Sequence, residues 1–211
     1  MNHALTMIGI ASAVAIGAMS PGPSFVVVAR TAVASSRTDG IYAALGRGLG
    51  GMLFAVAALL GLHALMAAVP WLALLLKIAG GIFLTCLGFR IYRGAKQPFA
   101  VPACTDSAPP VNAAQSFLLG LGTQISNPKT AIVYASVFAA LLPDDIPLSL
   151  TLLLPFLIFS IEAGWYAAVA LALSSAAMRT VYFRFKASID RGTGGVMMLL
   201  GVKLAASARQ L

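Results

Sequence analysis

Two long apolar stretches of this chain are each interrupted near the middle by a proline motif. The interruptions fall at matching places in its two halves. Ser20-Pro21-Gly22-Pro23 lies inside a stretch from about Ala4 to Ala34, and Asn127-Pro128-Lys129 inside one from about Gln115 to Leu142. Proline lacks a backbone donor and its ring clashes with the preceding turn, so neither stretch can form one unbroken helix. Pro21 and Pro23 leave carbonyls of the preceding turn without donors. The chain then restarts as a helix around Ser24, and again after Asn127. Each restart presents unpaired N–H groups and partial positive charge, suited to a carboxylate.

Composition says in what solvent these breaks sit. Only 9% of the 211 residues are charged and 60% are hydrophobic, whereas soluble domains carry roughly 25% charged residues. Runs free of charge cover 1–29, 48–76, 107–128, 146–161 and 163–178, several of them near the ~20 residues that a spanning helix needs. No alternation of apolar and polar residues marks a transmembrane barrel. The N-terminus has no basic region or cleavage site and reads as a first span, not a signal. The chain is therefore expected to be an all-α polytopic membrane protein. In lipid, freed backbone groups persist only where they are buried in protein or line a polar cavity. Broken helices at corresponding positions of two halves point to a transporter's binding site.

The net charge of +8 does not indicate nucleic acid, because the basic residues are placed asymmetrically. Arg30, Arg37 and Arg47, then Arg90, Arg93 and Lys96, then Arg179, Arg184, Lys186 and Arg191 fall in three connections, while the loop near Pro143 carries Asp144 and Asp145. This asymmetry puts the basic connections in the cytoplasm, where they also suit anionic headgroups of the lipid bilayer.

Six spans are expected: 4–34 (broken at 20–23), 41–68, 71–93, 115–142 (broken at 127–129), 147–178 and 192–208. Residues 1–93 form a first repeat, the proline-containing segment 94–114 a cytoplasmic linker, and 115–211 a second repeat. Residues 81–90 (GIFLTCLGFR) resemble 194–203 (GGVMMLLGVK), with Gly81 matching Gly194 and Gly88 matching Gly201. That offset is 113 residues, close to the ~106 between the proline motifs. Three spans per half reverse the second half, so the halves are read as two inverted three-helix repeats. Gly40, Gly46, Gly50 and Gly61 crowd the second span. Gly46 and Gly50, spaced as GxxxG, read as helix-packing positions, and Gly120 and Gly122 are given the same role. Such faces are compatible with a homodimer.

No phosphate-binding loop and no metal-binding pattern occurs, and Cys86 and Cys104 have no paired spacing. No cofactor or metal is expected. His3 and His63 read as interfacial residues. Lys129 and Glu162 each fall near the centre of a span, where an ionisable residue usually faces a cavity or a partner. They can pair with each other, or hold the two ends of a zwitterion, with Glu162 on the ammonium and Lys129 on the carboxylate. Trp165 and Tyr166 either wall the cavity or pack beside it.

Ser20-Pro21-Gly22-Pro23, the glycines 40, 46 and 50, the stretch from Leu76-Lys77-Ile78-Ala79-Gly80-Gly81 to Gly88-Phe89-Arg90, and Ser126-Asn127-Pro128-Lys129 together resemble the lysine exporter (LysE/RhtB) family. The resemblance covers essentially the whole chain. Where many relatives carry an Asp after the glycine series, this chain has Gly51. The resemblance implies amino-acid efflux across the bacterial inner membrane. The expectation is a multi-pass secondary transporter that exports an amino acid or related small metabolite, driven by the proton gradient. Its substrate site is expected at Ser20, Pro21, Gly22, Pro23, Ser24, Ser126, Asn127, Pro128, Lys129 and Glu162, with Gly40, Gly46, Gly50, Gly81, Gly88, Gly194 and Gly201 packing helices. A membrane scaffold or an intramembrane enzyme is the alternative, although no catalytic constellation is evident.

Overall fold

The computed structural model describes residues 3–19, 22–62, 70–97, 112–143 and 146–207. Ser20, Pro21, His63, Asp144, Asp145 and positions 98–111 of the expected linker lie outside them. Among the described residues there is no strand. The helices are α1 (His3–Met19), α2 (Pro23–Ala34), α3 (Arg37–Ala57, continued by one π-helical turn, Ala58–Leu62), α4 (Pro70–Gly94), α5 (Ala113–Ile125), α6 (Pro128–Leu141), α7 (Leu148–Leu173) and α8 (Ala176–Ser207).

Both proline motifs separate helices. The axes of α1 and α2 differ by 57°. Gly22 is extended, and Pro23 takes the first helical position of α2, where a missing N–H costs no helical bond. At the second break Ser126 ends α5 and Asn127 turns extended. Asn127 caps α6 by accepting a hydrogen bond at Oδ1 from the Lys129 N–H at 3.0 Å, with Pro128 again first in the helix. An N-cap of this type satisfies one orphan donor of the new helix.

Two boundaries differ from the sequence expectation. The second span begins at Arg37, not 41, because the Ser36 hydroxyl caps it by accepting from the Asp39 N–H at 3.0 Å. Arg47, counted above with a basic connection, lies in the interior of α3 and is buried. Residues 179–191, expected as a cytoplasmic connection, belong to the single 32-residue helix α8. No proline interrupts that segment, and Lys186 is paired one turn along with Asp190 at 2.6 Å.

Glycines set the close approaches. α4 and α8 pack most extensively and run antiparallel. A Cβ on Gly81 would meet the Gly201 carbonyl at 2.7 Å, and one on Gly194 would meet the Gly88 carbonyl at 2.6 Å. α3 lies against both α5 and α7. A Cβ on Gly46 would run into the Phe117 carbonyl, one on Gly50 would meet Gln124 Cγ at 2.7 Å, and one on Gly40 would meet Ala32 Cβ at 2.7 Å. Gly61 and Gly122 have nothing within 4 Å of where a Cβ would stand among the described residues, so no close approach among these depends on them. Large exposed side chains such as Leu148, Phe156 and Leu199 are apolar, as expected of a surface without water around it.

Candidate functional site

The two breaks meet. Asn127 Nδ2 donates to Ser24 Oγ at 3.1 Å, which places the N-terminus of α6 beside that of α2. Gln124, fully buried in the last turn of α5, joins them. Its Oε1 accepts from Thr130 Oγ1 at 3.3 Å and from Ser24 Oγ at 3.5 Å. Buried polar groups are costly unless partnered, and here the four side chains partner one another across the breaks.

Above this cluster, Arg47 of α3 and Glu162 of α7 form an ion pair, Nε to Oε2, at 3.1 Å, with side chains only 6% and 3% exposed. Glu162 Oε1 also accepts from Tyr134 Oη of α6 at 3.2 Å. The Arg47 guanidinium lies 3.8 Å from the centre of the Tyr166 ring, a cation–π contact. The Tyr166 hydroxyl in turn donates to the Ala18 carbonyl at 2.8 Å, near the open end of α1, where helix carbonyls lack intrahelical donors. The tyrosine thus serves the first break with one end and the buried cation with the other.

Apart from Gln124 and Ala18, these groups line one cavity, together with Val14, Gly17, Gly22, Phe25, Lys129 and Val133. Its free volume is about 20 Å³, room for about one water and too small for an amino acid. Arg47 Nη1 and Gln124 Nε2 are buried without a hydrogen-bond partner among the described residues. Lys129 lies within electrostatic reach of Glu162, Arg47 and Asp190. No group of three or more metal-ligating side chains occurs among the described residues.

Of the residues singled out from sequence, Gly22, Ser24, Asn127, Lys129 and Glu162 converge on the cavity. Ser126 and Pro128 do not: both are exposed and border an outer groove with Leu118 and Thr123. Ser126 closes α5 and Pro128 opens α6, so their side chains point away from the Asn127 cap. Pro23 contributes the first residue of α2. Trp165 does not line the cavity, whereas Tyr166 does. The partner of Glu162 is not Lys129 alone, as a pairing read from sequence would have it, but Arg47 and Tyr134. Arg47 was assigned to a loop; its position between Gly46 and Gly48 was the available signal, since a charge inside a run of packing glycines must be buried.

The model of the LysE type translocator family matches residues 15–208. The threonine efflux protein of Escherichia coli (strain K12) is 34% identical over 192 residues, covering 91% of this chain and 93% of the relative. That of Salmonella typhi is 33% identical over the same shares. An uncharacterized membrane protein of Haemophilus influenzae is 28% identical, covering 89% of this chain and 90% of its own length. No solved structure matches the chain. With a family match over nearly its whole length, the chain belongs to the LysE type translocators: it is a multi-pass transporter of the bacterial inner membrane and not an enzyme.

Proposed function

We propose that this protein exports a small neutral amino acid, of the kind named in its threonine efflux relatives, through the cavity between the two helix breaks. The observation that carries the reading is the convergence of both N-termini, α2 and α6, on a buried space that holds a cation and an anion from the two halves. Such a space offers N–H groups and Arg47 or Lys129 to a carboxylate, and Glu162 to an ammonium. The substrate residues are Gly22, Ser24, Asn127, Lys129 and Glu162, with Arg47 and Thr130 added, and Gln124 holds Ser24 and Thr130 in place. An intramembrane carboxylate such as Glu162 is also the natural carrier of a coupling proton.

The spans of this reading are six: α1 with α2, α3, α4, α5 with α6, α7 and α8, the halves inverted. The glycine contacts support it. If Gly81 and Gly88 correspond to Gly194 and Gly201, the contacts Gly81–Gly201 and Gly88–Gly194 exchange with each other, as a twofold axis in the membrane plane demands. The length of α8 also fits. At 32 residues it measures about 48 Å, longer than the ~30 Å hydrocarbon core, so its first turns, with exposed Arg184, reach into the cytoplasm. Exposed Leu148, Phe156 and Leu199 then face acyl chains.

Efflux from cells preloaded with labelled L-threonine and a panel of short amino acids tests the proposal. Cells expressing the protein should lose at least one of these faster than cells without it and should resist the matching toxic analogue. Equal efflux across the panel overturns the reading.

A further inference from the structure

We propose that the Arg47–Glu162 ion pair is the closed form of a zwitterion site. The substrate's carboxylate takes the place of Glu162 on Arg47, and its ammonium takes the place of Arg47 on Glu162. The inference rests on the export reading above and specifies its substrate class.

Three features of the pair carry it. First, the contact is incomplete. Arg47 and Glu162 meet through one nitrogen and one oxygen at 3.1 Å, and neither atom has the alignment of a hydrogen bond. Arg47 Nη1 is buried with no hydrogen-bond partner among the described residues, although a guanidinium facing a carboxylate usually forms two parallel bonds. Second, each charge has a support of its own. The Tyr166 ring lies against the guanidinium, and Tyr134 Oη donates to the carboxylate, so separating the pair strips neither group of every partner. Gly51 makes room for the second support, because a Cβ there would meet Tyr134 Oη at 2.9 Å and Glu162 Cγ at 3.2 Å. Third, both charges line the cavity and come from different halves, Arg47 from α3 and Glu162 from α7.

The exchange conserves charge. One internal pair opens and two substrate pairs form, so the loaded site gains no net charge; after release the internal pair closes again. An unpaired buried charge is costly, and this arrangement avoids one in both the empty and the loaded carrier. A molecule with only one of the two charges would leave Arg47 or Glu162 stranded. The site therefore takes molecules that carry both charges, as zwitterionic α-amino acids do.

Counterflow of labelled L-threonine into proteoliposomes carrying the full chain is the test. Unlabelled L-threonine should compete, while L-threoninamide (no carboxylate) and N-acetyl-L-threonine (no ammonium) should compete about 100-fold more weakly or worse, as stranded buried groups dictate. Competition by either analogue at the concentration at which threonine competes overturns the zwitterion site while leaving export standing. The double variant Arg47→Met with Glu162→Leu should accumulate and melt like the parent but lose counterflow; counterflow at the parental rate would sink the inference. Should that variant not accumulate, the competition assay on the parental protein still decides. Absence of counterflow with threonine and every other short amino acid tried would overturn the export proposal itself, and this inference with it.

Discussion

Asn127 caps α6 with its carbonyl oxygen and, with the nitrogen of the same carboxamide, donates to Ser24 in the first turn of α2 at 3.1 Å. One side chain therefore both starts a helix and ties the two breaks together. The breaks lie in different halves of the chain, so this bond couples the halves at the floor of the cavity.

The two roles of Asn127 are separable. Asn127→Ala removes the cap, worth about 1 kcal/mol, and the tie to Ser24, so thermal stability and export should both fall. Asn127→Ser retains a capping hydroxyl but cannot supply the Nδ2 donor. It should melt near the parental temperature and still export slowly. Parental export by Asn127→Ser, measured per unit of membrane protein, would show that the tie is dispensable.

Glu162→Gln and Arg47→Met each strand one member of a buried pair, a loss of about 3–5 kcal/mol. Each should lower membrane abundance and melting temperature. Lys129→Met leaves the Arg47–Glu162 contact intact. Its abundance and melting temperature should stay near parental while export drops, because the lysine lines the cavity. Thermal unfolding in detergent beside efflux from preloaded cells separates the two patterns.

Glycine substitutions should divide by geometry. Gly46→Ala forces a Cβ against the Phe117 carbonyl, and overpacking of this kind costs about 1–3 kcal/mol. Gly122→Ala meets nothing within 4 Å and should leave abundance and melting unchanged. Equal tolerance of the two would contradict the α3–α5 packing.

Orientation is open to chemical labelling. In a Cys86→Ser, Cys104→Ser background, Gln97→Cys and Ser188→Cys, both at exposed positions, should react with an impermeant maleimide in inside-out vesicles. Reaction in intact cells would reverse the proposed orientation.

The sequence by itself determined the membrane class and the helix breaks, because these follow from local chemistry. Proline cannot continue a helix, a long charge-free run is at home in lipid, and a glycine spacing marks a face without naming its partner. It also singled out Glu162 as a charge in need of company. Which side chain answers that charge was decided by tertiary structure. Arg47 and Lys129 are both cations near Glu162 in the fold, and the charge asymmetry of the sequence counted Arg47 with a basic connection. The Ser36 cap starts α3 at Arg37 and puts Arg47 ten positions into it, and the glycines around it let α7 approach. Tyr134 and Gln124 were likewise invisible as site residues, since an isolated Tyr or Gln in an apolar run carries no sign of what it will face. Pairing across a bundle is set by which helix faces meet. That depends on contacts summed along whole helices, and no local pattern encodes it.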